Sequence, residues 1–184
     1  MQHLAVFCGS QFGADPAYAA AAAELGTESA RRGVTLVYGG GRVGLMGVVA
    51  AACVAAGGRV VGVIPEFLAA KEIAFAEATE LHVVATMHQR KAIMADRADA
   101  VAVLPGGYGT MDELFEILTW AQLGLHAKPV VLLNVKGFFD PLLTWVDHLT
   151  REGFVQLRHR ELLLAADDVT GVFDLLARRR QDVR

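Results

Sequence analysis

Short β-branched apolar runs alternate with helix-patterned segments along the whole chain. Most of those runs are apolar throughout rather than at every second position, as strands covered on both faces are. Gly or Pro punctuates the ends of most of them. Together these features predict an α/β fold: a single doubly wound (Rossmann-like) domain over residues 1–184, with a mostly parallel sheet of about seven strands flanked by helices. The chain has 184 residues, 54% of them hydrophobic, enough to bury the core of one such domain.

The elements follow in order. "LAVFCG" (4–9) is a strand ending in Gly. The segment 15–33 is a helix, with Asp15 as N-cap, Pro16 in the first turn and Gly33 as the stop. "VTLVY" (34–38) is a strand running into "GGGRVG", and 45–57 is a helix. "RVVGVI" (59–64) is a strand ended by Pro65, and 66–80 is a loop with a helical turn. "LHVVA" (81–85) is a strand, and 86–98 is a helix capped by Thr86. "DAVAVLP" (99–105) is a strand, followed by "PGGYGT" and a helix to about Leu123. "KPVVLLNV" (128–135) is a strand, and 138–153 is a helix opened by Asp140-Pro141. A last strand (161–167) and helix (168–180) complete the pattern.

Composition excludes several classes of function. A net charge of -3 gives no basic stripe for nucleic acid, and the terminal "RRRQDVR" reads as a solvated helix end. Cys8 and Cys53 read as small core residues rather than as a disulfide. "MQHLAVFCGS" does not read as a secretory signal, and no apolar stretch reaches the roughly 18 residues of a membrane span, so a cytoplasmic protein is expected. The six histidines show no metal-ligand spacing, so no metal is expected.

In doubly wound folds, ligands bind beyond the carboxyl ends of the strands. Three glycine loops fall there: "CGSQFG", "GGGRVG" and "PGGYGT". "GGGRVG" (39–44) has the G-x-G-x-x-G spacing, with Glu66 placed as a ribose-binding acid. Tight packing, mononucleotide-phosphate approach and dinucleotide binding are all compatible with it. In "PGGYGT", Gly106, Gly107 and Gly109 free main-chain N–H groups to face an anion at a helix start. Thr110 and Glu113 also match a capping box, with Thr110 as N-cap. Asp112 and Glu113 set two carboxylates beside that anion site, so at least one needs another task.

In "MHQRK" (87–91), Met87, Arg90, Lys91 and Met94 share one helical face. The cations either snorkel to water or meet a negative ligand that offsets the unfavourable helix dipole. The helix after "PGGYGT" is apolar nearly all round (Leu114, Phe115, Ile117, Leu118, Trp120, Ala121, Leu123, Leu125), which calls for a second subunit and predicts a homodimer.

"PGGYGTMDE" (105–113) together with "MHQRK" resembles the paired signature of the LOG family of cytokinin riboside 5′-monophosphate phosphoribohydrolases. "FCGS" (7–10), "YGGGRVGLMG" (38–47), "TWAQLG" (119–124), "KPVVLLN" (128–134) and "EGF" (152–154) extend the resemblance over most of the chain. Proteins of this kind often carry a lysine decarboxylase label, but none of the four lysines (71, 91, 128, 136) has a pyridoxal-phosphate context.

The resemblance implies hydrolysis of the N-glycosidic bond of an N6-substituted adenosine monophosphate, with AMP as a poorer substrate and no cofactor. It places substrate contacts at Glu72, Arg90, Lys91, Gly107, Tyr108, Gly109, Thr110, Met111, Asp112, Glu113 and Thr119, with Ser10 as a weaker addition. Arg90 and Glu113 match the catalytic pair.

Overall fold

A computed structural model of the protein describes residues 1–72 and 74–182, apart from the side chains of 70–72 and 179–182. The element order is β1 (His3–Phe7), α1 (Pro16–Arg31), β2 (Thr35–Tyr38), α2 (Gly44–Ala55), β3 (Val60–Pro65), α3 (Glu66–Glu72), β4 (Glu80–Val84), α4 (Met87–Arg97), β5 (Ala100–Val103), α5 (Tyr108–Gln122), β6 (Val130–Leu133), α6 (Asp140–Arg151), α7 (Leu157–Arg160), β7 (Leu163–Ala166) and α8 (Val169–Asp182). A 3-10 turn, Val135–Gly137, precedes α6.

The seven strands form one sheet in the order β4-β3-β2-β1-β5-β6-β7. Every neighbouring pair is parallel. From β1 the chain winds outward through β2, β3 and β4, then returns to lay β5 against the other side of β1. The direction of winding therefore reverses between β1 and β5, which opens a crevice at their carboxyl ends.

Alternate residues of each strand enter two cores. Leu4, Val6, Leu36 and Tyr38 pack with α1, α2 and α8 on one face. Ala5, Phe7, Val37 and Val101 pack with α4, α5 and α6 on the other. Because both faces are covered, the inner strands lack the polar alternation of a half-exposed sheet, while the edge strand β4 (ELHVV) keeps it. The helix starts are local: Asp15 accepts a hydrogen bond from Ala17 N at 2.9 Å, and Thr86 accepts one from Gln89 N at 3.2 Å. Gly33, past the end of α1, has φ +67°, as a helix stop requires.

Two details differ from the sequence expectation. The segment 66–80 opens with the two-turn helix α3, and the four-residue α7 had no periodic signal to announce it. The terminal basic run past Arg178 lies outside the described side chains. Among the described residues, no helix is long and apolar enough to cross a membrane.

Candidate active site

The loops after β1 and β5 touch at the crevice. Gly9 N donates to Pro105 O at 3.0 Å, and the bare Cα of Gly106 lies against Gly9. Above this contact lies a cavity of about 350 Å³, walled by the first glycine loop, the start of α5, and side chains from α2 and α4. That volume suits a small-molecule ligand. Phe12, Tyr18, Met87 and Phe138 make one side apolar, with Tyr18 and Phe138 edge to face at 5.5 Å. Ser10, in the same loop as Phe12, also lines the cavity.

The glycine stretch does not start its helix at Thr110. The helix begins at Tyr108, with Gly107 at the N-cap and no side-chain cap. Thr110 is thus inside the first turn and Glu113 is a turn further on, so the expected capping box does not form. Three small or flexible residues let the helix begin earlier than the T-x-x-E pattern suggests. The N–H groups of that first turn have no carbonyl of their own helix to donate to.

The glycines divide by task. A Cβ at Gly106 would collide with Thr110 and Gly9 N, so that glycine serves packing. Among the described residues, a Cβ at Gly107 or Gly109 would meet no atom within 4 Å beyond its own chain neighbours and helix backbone, and neither residue has a positive φ. Nothing in the protein itself demands glycine there. Open space beside unpaired N–H groups is what an approaching anion needs.

Arg90 and Glu113 face each other across the cavity floor. Arg90 Nη2 lies 3.6 Å from Glu113 Oε1, and both side chains are more than 90% buried. Arg90 Nη1 sits 3.7 Å from Met87 Sδ, and its Nε is buried with no hydrogen-bond partner among the described residues. The snorkelling alternative therefore fails, because these cations do not reach open water.

Lys91 is also buried, but it turns to α5, with Nζ 2.9 Å from Asp112 Oδ2 and 3.1 Å from Glu116 Oε2. Burial works against its charge, yet the hydrogen bonds it donates to Asp112 and Glu116 hold its pKa above the usual lysine value. The charges near the start of α4 are thus compensated by carboxylates of α5. Asp112 has its other task, and Glu113 is left facing the cavity.

Cys8 belongs to the core, as expected, but it also lines the cavity. Burial first, then the charge of Glu113, push its thiol well above the normal range, against the opposing effect of Arg90. It stays a neutral thiol. Tyr18 and Phe138 are further cavity residues that no sequence motif marked, and Phe12 and Met46 lie inside "CGSQFG" and "YGGGRVGLMG" without being singled out there. Only their nearness to the strand ends could have pointed to them.

The "GGGRVG" loop is built for packing. Gly9 O accepts from Leu45 N at 3.0 Å and from Met46 N at 3.4 Å, so N–H groups that a dinucleotide phosphate would use are occupied. Gly44, at φ +57°, lets the first glycine loop cross directly over it. Glu66 is exposed at the start of α3 and does not line the cavity.

Of the other expected contacts, Gly107, Tyr108, Gly109 and Thr110 line the cavity, and Tyr108 is almost fully exposed at its rim. Lys91, Met111, Asp112 and Thr119 do not line it. Met111 packs toward the core, and Thr119 is exposed with its hydroxyl donating to Phe115 O at 2.6 Å. Glu72 ends α3, and its side chain lies outside the described residues. Among the described residues, no three His, Cys, Asp or Glu side chains converge to hold a metal.

This architecture recurs among known proteins. The molybdenum cofactor carrier protein of Chlamydomonas reinhardtii superposes with a TM-score of 0.74 at 23% identity, covering 98% of both chains, a likeness of fold alone. A family profile described as "Possible lysine decarboxylase" matches residues 46–176. The cytokinin riboside 5′-monophosphate phosphoribohydrolase LOG7 of Arabidopsis thaliana is 51% identical over 90% of this chain and 76% of its own. The probable phosphoribohydrolase LOGL9 of Oryza sativa subsp. japonica is 52% identical over 91% of this chain and 74% of its own. Identity at this level over most of both chains, with Met87, Arg90, residues 105–110 and Glu113 of the signature gathered round one crevice, places the chain in the LOG family.

Proposed function

We propose that this protein hydrolyses the N-glycosidic bond of cytokinin riboside 5′-monophosphates, and of AMP more slowly, giving free base and ribose 5-phosphate in the cytoplasm. The carrying observation is the buried Arg90–Glu113 pair, 3.6 Å apart, on the floor of a cavity whose rim is the glycine-rich start of α5. Relatives about half identical to this chain and named for this reaction support the same reading.

In the proposed mechanism the 5′-phosphate sits on the N–H groups of the N-cap Gly107 and of Gly109 and Thr110 in the first turn, where the helix dipole favours an anion. The phosphate is remote from the bond that breaks, so its binding energy serves to position the sugar. As the C1′–N9 bond lengthens, positive charge builds on the ribose and negative charge on the base. Glu113 stabilises the ribosyl cation or activates the water that adds to C1′. Arg90 orients that carboxylate and can clamp the ribose or phosphate. The departing base takes up the proton that water releases, which balances the reaction without a cofactor. Lys91 acts from behind, holding α4 to α5 through Asp112 and Glu116, and Ser10 contacts the ligand from the first loop.

The active form is proposed to be a homodimer. Leu123 and Leu125 past the end of α5, Trp145 on α6, and Phe154 are large apolar side chains left exposed. Thr119, a family substrate position, is exposed on α5 outside its own chain's cavity, which fits a site completed by a second copy. Light scattering at micromolar concentration is expected to give twice the chain mass of 19.7 kDa, and a monomer would refute the dimer.

The functional test is incubation with AMP, isopentenyladenosine monophosphate and the two nucleosides, followed by chromatography for free base. Base release from the monophosphates and far less from the nucleosides is expected. Saturable nucleotide binding with no base release would instead indicate a carrier.

A further inference from the structure

Arg90 has little to hold it by hydrogen bonding. Among the described residues, its Nε is buried without a partner, Nη1 meets only a thioether, and Nη2 stands 3.6 Å from a carboxylate. Besides the charge attraction of Glu113, its position is set by shape, and the surface it rests on is the main chain at the end of β2. A Cβ at Gly39 would overlap Arg90 Nη2, lie 2.9 Å from Cζ and come within 3.0 Å of Met46 Sδ.

The backbone does not itself require glycine at 39. The positive φ angles of this loop are at Gly40 and Gly44, and Gly39 is not among them. The three atoms nearest a Cβ at 39 are all the far ends of the flexible side chains of Arg90 and Met46. A methyl at 39 can therefore be accommodated by moving the guanidinium into the open cavity, with the fold intact.

We propose that Gly39 is a positioning residue for Arg90: the bare main chain at 39, with Met46, forms the seat that fixes the guanidinium beside Glu113. The first glycine of "GGGRVG" then serves catalysis by making room for an arginine, where a nucleotide motif would use it to approach a phosphate. This inference rests on the reading of Arg90 as a catalytic residue. A displacement of about 1 Å at a catalytic group can cost on the order of 100-fold in rate.

The test compares wild type, Gly39→Ala, Arg90→Ala, Arg90→Lys and the double variants, by base release from AMP and by unfolding midpoint. Gly39→Ala is expected to lower kcat by about 10- to 100-fold with a smaller change in KM. In the Arg90→Lys enzyme, whose shorter head falls short of the place Nη2 fills, the same substitution should add less than about twofold. Its effect on the midpoint should also shrink when Arg90 is already alanine.

Wild-type turnover by Arg90→Ala would remove the catalytic reading, and the proposal with it. An inactive Arg90→Ala beside an unaffected Gly39→Ala would overturn the proposal alone. So would an equal loss in the wild-type and Arg90→Lys backgrounds. If Gly39→Ala does not fold, Gly39→Ala with Arg90→Ala decides: recovery of folding supports the seat, and continued unfolding overturns it.

Discussion

Replacing Glu113 with glutamine separates chemistry, stability and ligand binding at one position. Arg90 is buried, and Glu113 is the carboxylate 3.6 Å from its Nη2. That distance is too long for a strong hydrogen bond, so the interaction is mainly Coulombic. Two unit charges 3.6 Å apart attract by about 4–5 kcal/mol at an effective dielectric of about 20. Glutamine keeps the shape and a polar oxygen, and water in the cavity softens the loss, so a net destabilisation of about 2–3 kcal/mol is expected. For a domain of this size that lowers the midpoint by about 5–10 °C. Turnover should fall by about 10²- to 10⁴-fold.

AMP binding should survive in that variant, because the phosphate seat belongs to the start of α5. AMP at about 100 times its Kd should still stabilise the variant by about 2.7 kcal/mol. Differential scanning fluorimetry with and without AMP, beside a base-release assay, reads all three quantities. A folded Glu113→Gln enzyme with near-normal turnover would refute the assignment. Loss of AMP stabilisation would show that the carboxylate holds ligand rather than driving bond cleavage.

Gly107→Ala and Gly109→Ala meet no protein atoms, so each should leave stability unchanged or raise it by up to about 1 kcal/mol. Each should nevertheless raise KM for AMP about tenfold or more, since the methyl fills the ligand's side of the loop; unchanged KM would count against the phosphate seat. His126 gives a pH effect. Its Nε2 lies 2.9 Å from Ile117 O and its Nδ1 accepts from Lys128 N at 3.1 Å, an arrangement that needs the neutral ring. Burial, with Lys128 adding to it against the Ile117 hydrogen bond, lowers its pKa below the usual histidine value. The unfolded chain therefore binds the proton more readily, and the stabilisation present above about pH 6.5 is lost as pH falls through the lowered value. The midpoint drop between pH 7.5 and pH 5.5 should be smaller in His126→Gln, and an equal drop would exclude this histidine as a cause.

Much of the fold was legible because both-face burial leaves an unbroken apolar signal in most strands, the edge strand β4 (ELHVV) excepted, and Asp15, Thr86 and Gly33 do their work locally. The start of α5 was misplaced because Thr110 and Glu113 carry a capping-box pattern at the right spacing, while Gly107 allowed an earlier start. The site was legible as a pair of motifs but not as an arrangement. Nothing in "MHQRK" distinguishes Arg90, turned into the cavity, from Lys91, turned to Asp112 and Glu116. The spacing of "GGGRVG" is the same whether its glycines admit a phosphate, a neighbouring loop or an arginine. The apolar side made by Phe12, Tyr18 and Phe138 depends on how separate loops meet, which no local pattern records.

The most direct measurement is the product balance of the wild-type protein on isopentenyladenosine monophosphate, run beside Arg90→Ala and Glu113→Gln. Equal amounts of free base and ribose 5-phosphate from the wild type, and almost none from either variant, are the expected result. Intact nucleotide after prolonged incubation with folded wild-type protein, or equal product from all three, would contradict a hydrolase built on Arg90 and Glu113.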